Sequence, residues 1–180
     1  MISNEHGLIF VEMPFSGYEL FKERMLESNR DTSFEDEFLP KCIEYQYSCI
    51  VRNPYLRAVC LYKNGCKLRE EHDLKPQNFT NYFENTLNLW DFVEGDEHKS
   101  QFSYLEKTVD DLMVFRCEDL VDNWGYMNEF LADFGLKSIK YFIESKETKN
   151  WEQYYEDQTA IELIEYLFDD DFSEFNYSKL

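Results

Sequence analysis

The apolar positions of the chain fall into short runs separated by longer stretches of helical spacing. Gly7 to Met13, GLIFVEM, is an apolar run stopped by Pro14, and it predicts a buried strand over Leu8–Glu12. From Ser16 to Ser28, Leu20, Phe21 and Met25 recur at helical spacing, with Ser16 as the expected N-cap. Asn29 to Lys41 is polar and acidic and reads as a surface loop. Tyr45 to Val51 is rich in β-formers and predicts a second strand. Pro54 then opens a helix, since a first-turn residue needs no N–H. Asn78 to Trp90 carries Phe79, Tyr82, Phe83, Leu87 and Trp90 at spacings of three and four, a helix followed by a polar loop over Asp91–Ser100. Leu112–Phe115 predicts a third strand. Glu118–Phe134 predicts an amphipathic helix closed by Gly135 at its C′ position. A linker runs through Lys149, and Gln158–Phe168 is the last clear helix.

Strands alternating with helices indicate an α/β protein with a largely parallel sheet, and 180 residues fit one domain spanning 1–180. Ligands of such sheets bind beyond the carboxyl ends of the strands. The turns Pro14–Gly17 and Arg52–Pro54 both lie at such ends.

Charge narrows the partners. Asp and Glu number 37 against 18 Lys and Arg, a net charge of −19, which argues against broad binding of nucleic acid or anionic membranes. An anionic ligand is expected only where positive groups are concentrated. Sixteen Phe and thirteen Tyr supply far more apolar surface than a disordered chain carries. No apolar run reaches the length of a membrane span, and MISNEHGLIF lacks a basic region followed by an apolar one, so a soluble cytoplasmic protein is expected. Cys42, Cys49, Cys60, Cys66 and Cys117 are odd in number and without CxxC spacing, and the three histidines are scattered. Neither a disulfide framework nor a bound metal is expected.

Against this acidic background, Val51 to Tyr62 reads VRNPYLRAVCLY, with Arg52 ending a strand and Cys60 about two helical turns later. On spacing alone, either the Arg52 fork and the small side chain of Cys60 converge on one phosphate, or Arg52 and Arg57 pair with the abundant carboxylates. The residues themselves resemble the 3′-phosphate-binding motif of sulfotransferases, V-R-N-P-Y-x-R-x-x-S-x-Y, with Cys60 in place of the serine. The resemblance covers most of the chain. LIFVEMPFSGYELF falls where that family carries a strand and a 5′-phosphosulfate loop of the type F-I-H-I-P-K-T-G-G-T. DEHKSQFSYL is similar to its H-x-x-Q segment, and LMVFRCEDLVDNWGYMNEFLADFGL to its strand followed by an R-x-E-x-L helix. YYEDQTAIELIEYLFDDDFSEFNY resembles the closing pattern of the family.

The resemblance implies a three-layer sulfotransferase fold related to P-loop kinases. It implies 3′-phosphoadenosine 5′-phosphosulfate or adenosine 3′,5′-bisphosphate as the nucleotide, with no metal. Sulfuryl would pass by in-line displacement to a hydroxyl of a carbohydrate or similar acceptor. Arg52 and Cys60 would face the 3′-phosphate, Ser16 and Gly17 would belong to the 5′ loop, and Lys146 and Lys149 to a late basic loop. His98 would be the general base, against the plainer reading of a loop histidine. Trp151, Tyr154 and Tyr155 are either nucleoside-covering or core.

The first loop departs from the pattern. The lysine that stabilises the departing oxygen is Phe15, the second glycine is Tyr18 and the threonine is Glu19. Losing one such donor typically costs on the order of 100- to 1000-fold in rate. Lys22, or a lysine between Lys137 and Lys149, would have to supply the cation. Two further readings follow: a non-catalytic relative that keeps the fold for binding a partner, and an acidic decoy that mimics nucleic acid.

Overall fold

A computed structural model describes residues 1–3, 6–29, 45–89, 98–105, 112–139 and 150–180. It divides into two compact units, Met1–Arg52 with Leu105–Glu144, and Asn53–Tyr104 with Ser145–Leu180. The first is α/β, the second helical.

The α/β unit is built on a four-stranded mixed sheet of order β1 (Ile2–Ser3), β2 (Leu8–Val11), β3 (Gln46–Val51) and β4 (Leu112–Arg116). β1 pairs antiparallel with β2 through Ile2 and Ile9, whereas β2, β3 and β4 are parallel. The three predicted strands are therefore present within a residue of their expected ends. The two-residue β1 was not expected, because two residues carry no readable period.

The register places Val11 opposite Cys49 and Val51 opposite Arg116. The carboxyl ends of the three parallel strands thus lie side by side. β2 passes into α1 (Tyr18–Ser28), whose Phe21 and Met25 are wholly enclosed. Phe10 of β2 packs on Phe21 with ring centres 4.5 Å apart. Burying a side chain of this size contributes about 1.5–3 kcal/mol. α1 ends at Asn29, whose carboxamide accepts from Lys137 N–H at 2.7 Å and so ties the helix to the segment after α5 (Trp124–Asp133).

The helix expected over Glu118–Phe134 is two helices, α4 (Cys117–Asp122) and α5. Asn123 separates them at φ −134° and ψ 65°, outside the helical region. Asparagine competes locally for backbone groups and often marks such breaks. At the far end Gly135 has φ 71°, Gly135 N–H donates to Ala132 O and Leu136 N–H to Leu131 O, the double bond of a Schellman cap.

The helical unit contains α2 (Pro54–Glu71), α3 (Phe79–Leu89), α6 (Gln158–Leu167) and α7 (Asp169–Glu174), with 3-10 turns at Phe102–Tyr104 and Trp151–Tyr155. Its core is aromatic. Phe79 contacts Tyr62, Phe83, Tyr154 and Tyr155, and Tyr55 packs edge-on against Tyr155 and Phe172. The loop expected over Asn29–Lys41, nearly all of Asp91–Ser100 and the linker before Lys149 lie outside the described residues, apart from their ends.

Candidate functional site at the carboxyl ends of the parallel strands

Two loops leave adjacent strand ends in the α/β unit. The loop after β2 turns at Met13, where Ser16 N–H and Ser16 Oγ both donate to Met13 O, at 3.4 and 2.8 Å. Ser16 is fully enclosed. Its hydroxyl is thereby committed to the loop, and it does not cap α1 as expected. Gly17 takes that position instead, at φ 97°, a conformation that suits glycine alone. Phe15, two residues earlier, holds a left-handed φ of 62°, which is costly for a bulky side chain. Glu19 is exposed in the first turn of α1, and Lys22 Nζ lies 6.0 Å from the centre of the Tyr18 ring.

Arg52 follows the last residue of β3. It is buried, with 5% of its surface exposed, and its Nη2 lies 3.4 Å from Cys117 Sγ. The register brings this about: Val51 pairs with Arg116, so the next residue of each strand meets its counterpart. A guanidinium offers five donors in a rigid fork. One branch of that fork donates to the Cys117 sulfur.

The second arginine of the same motif has a different environment. Asn53 caps α2 by accepting from Tyr55 N–H at 2.9 Å, and Pro54 occupies the first turn. Every residue from Pro54 to Leu61 is buried, so this half of α2 is enclosed all round. Arg57 is enclosed with it and finds internal partners: Nη1 donates to Lys99 O at 2.9 Å and lies 4.0 Å from an Asp171 carboxylate oxygen. Asp171 in turn accepts from Phe102 N–H at 2.8 Å and Gln101 Nε2 at 3.3 Å. Burial pushes the Arg57 pKa down while Asp171 pulls it up. Burial pushes the Asp171 carboxyl up more strongly than Arg57 and its hydrogen bonds pull it down. Arg57 is therefore a structural cation of the helical unit.

Cys60 is buried on α2, near enough to Arg57 and Tyr155 to act on their titration. His98 is half-buried, and its Nε2 is 2.8 Å from the Tyr82 hydroxyl, which also donates to Leu61 O at 3.4 Å. Tyr155 donates to Tyr55 O at 2.8 Å, and Trp151 stacks on Tyr55 with ring planes 17° apart. Tyr155 is thus core; Trp151 and Tyr154 pack against it or its neighbours while half-buried. Lys146 and Lys149 lie outside the described residues.

The structure brings Ser16, Gly17 and Arg52 to neighbouring strand ends. Cys60 and His98 belong to the helical unit. Sequence reasoning did not single out Cys117, Tyr82 or Asp171. For Asp171 the signal was present, because Phe168, Asp171, Phe172 and Phe175 share one helical stripe while Asp169 and Asp170 fall off it.

A scan against protein-family models found no match, and searches of curated proteins and of solved structures likewise returned none. Among the described residues, no cluster of three or more His, Cys, Asp or Glu is arranged to hold a metal ion, and no helix is long and apolar enough to cross a membrane.

Proposed function

We propose that the chain is a sulfotransferase-family protein that holds the 3′-phosphate of 3′-phosphoadenosine 5′-phosphosulfate through Arg52. In this reading sulfuryl passes from the bound donor to a hydroxyl of a carbohydrate or similar acceptor, on a sulfotransferase fold of the P-loop-kinase type. One observation carries the reading. Arg52 follows the carboxyl end of β3, the parallel neighbour of β2, and the chain leaving the carboxyl end of β2 leads into α1. Phosphate groups are favoured where an arginine fork and a helix N-terminus are near one another.

Calorimetric titration with adenosine 3′,5′-bisphosphate and with the full sulfonate donor tests this. Wild type binds the bisphosphate, and Arg52→Ala abolishes binding, since each charge-assisted hydrogen bond contributes roughly 1.5–3 kcal/mol. Equal affinity in the variant, or no binding by wild type, removes the reading.

A second reading rests on the first loop. With Phe15 where the family carries its lysine and the Ser16 hydroxyl bonded to Met13 O, the chain is a non-catalytic relative that binds the nucleotide without turnover. Tight bisphosphate binding combined with no sulfuryl transfer to any hydroxyl acceptor identifies that case.

A further inference from the structure

The chain turns back on the helical unit after α7. Asn176 holds a left-handed φ of 54°, its N–H donates to Ser173 O at 3.4 Å, and Tyr177 N–H donates to Phe172 O at 2.9 Å. This is the double bond of a Schellman turn, and asparagine is one of the few residues besides glycine that adopts its conformation readily. The residues that follow reach the start of α7 and the first turn of α2. Lys179 Nζ donates to Asp169 at 2.6 Å and lies 5.6 Å from the centre of the Phe172 ring. The hydrogen bond to Asp169, and then the charge of Glu165, push the Lys179 pKa up. Leu180 N–H donates to the Tyr55 hydroxyl at 3.0 Å.

The two sides of this contact differ in rigidity. Tyr55 is 1% exposed, and its ring packs against Tyr155, Phe172 and Trp151. Its hydroxyl donates to Glu165 Oε1 at 2.5 Å, which leaves an oxygen lone pair for Leu180. A phenol that donates to a carboxylate is the better acceptor for it, so the two bonds reinforce each other. Ser178, Lys179 and Leu180 are by contrast all exposed, Leu180 by 65%. The hold on them is mainly polar: one hydrogen bond to an enclosed phenol and one surface ion pair. Such ion pairs contribute little and weaken with salt. Segments with few buried apolar contacts open locally, ahead of the core beneath them.

We propose that Ser178–Leu180 is a salt-sensitive strap: it latches onto Tyr55 and Asp169, swings at Asn176, and opens to uncover the Tyr55–Glu165 pair while the helical unit stays folded. Strap and catch both lie within that unit and work without a bound nucleotide.

Amide hydrogen exchange of the full chain, read residue by residue by NMR, tests this. Leu180 N–H should exchange more slowly than an unstructured amide, yet faster than the amides of α2 and α6. Raising the ionic strength from about 0.01 M to about 1 M shortens the screening length from about 30 Å to about 3 Å. That change should speed exchange at Leu180 about twofold and leave α2 as it was. Tyr55→Phe keeps the ring and removes the catch, and should speed it about fivefold. Lys179→Ala should abolish the salt response. If Tyr55→Phe does not fold by circular dichroism, Leu180→Pro takes its place, because it removes the donor without touching the core. Backbone order at Lys179, from nitrogen relaxation, should then fall to that of a free tail. Exchange at Leu180 at the unstructured rate, or in step with α2, overturns the strap. Wild-type protection in Tyr55→Phe, unchanged order at Lys179 in Leu180→Pro, or a salt response that survives in Lys179→Ala overturns it as well.

Discussion

Arg57 and Asp171 face each other 4.0 Å apart with both side chains wholly enclosed, joining the first turns of α2 to the start of α7. The raised Asp171 pKa means that burial of the carboxylate outweighs its attraction to Arg57 and its hydrogen bonds. The pair as a whole is therefore a weak source of stability, yet breaking it strands an enclosed guanidinium. Asp171→Ala is expected to lower the unfolding free energy by about 3–5 kcal/mol. Arg57→Met combined with Asp171→Leu should recover most of that loss. Urea denaturation of the three chains checks the order; a double variant less stable than Asp171→Ala would mean that the ion pair itself stabilises the unit.

The same pair shows what the sequence does and does not reveal. The periods of apolar residues locate the three parallel strands and most helices, because burial of one face is what both the pattern and the fold express. Local competition is less legible. Asn123 divides one predicted helix into two, and Gly17 displaces Ser16 as the cap because Ser16 is drawn inward to Met13 O. That Arg57 meets a carboxylate depends on a contact distant in sequence: Asp171 lies 114 positions after it (171 − 57). Cys117 meets Arg52 only once the register of β3 and β4 is known.

Gly65 lies in the middle of α2 with a Cβ position that would fall 2.7 Å from Tyr82 Cζ and 2.6 Å from its hydroxyl oxygen. Alanine ordinarily gains about 0.5–1 kcal/mol over glycine inside a helix. Here the ring it would meet is held by His98 and Leu61 O and cannot simply swing aside. Overpacking of this kind costs roughly 1–3 kcal/mol, so the sum favours glycine. Gly65→Ala should lower the midpoint of thermal unfolding, and Gly65→Ala with Tyr82→Ala should be less than additive. A rise in the midpoint for the single variant would show that Tyr82 relaxes without cost.

Cys49, in the middle of the sheet on β3, has its thiol pKa pushed up from 9.0 to about 12 by burial. Its folded pKa therefore exceeds its unfolded value, and the native state retains a proton that the unfolded chain has lost. The stability this contributes is present below pH 9 and is lost as pH rises from 9 toward 12, at about 1.4 kcal/mol per pH unit. Other buried groups, Tyr155 among them, steepen the same alkaline limb, so the contribution of Cys49 is read as a difference. Cys49→Ala should be somewhat less stable than wild type at pH 7, with the gap closing as pH approaches 11. Parallel pH–stability curves for the two chains would show that the thiol does not titrate on unfolding.

The loop after β2 should limit any sulfuryl transfer more than Arg52 does. Phe15 supplies no donor at the position where a cation would neutralise the departing oxygen, and exposed Glu19 adds a negative charge to the first turn of α1. A carboxylate at a helix N-terminus also competes with a bound anion for the same N–H groups. Wild type is therefore expected to bind adenosine 3′,5′-bisphosphate more tightly than the sulfonate donor and to turn over slowly or not at all. Phe15→Lys with Glu19→Thr removes one negative charge, adds one positive charge and replaces an acidic side chain with a hydroxyl. Lysine inherits the φ of 62° from phenylalanine, so the backbone strain is unchanged, and any gain in donor affinity reports on charge. The gain should be about tenfold or more at low salt and should shrink as ionic strength rises, since exposed charges are screened within about 10 Å at 0.1 M. Ser16 remains bonded to Met13 O, so transfer to a panel of hydroxyl acceptors should rise less than binding does. Robust wild-type transfer that falls in the double variant would show that Phe15 and Glu19 serve a different chemistry in this loop.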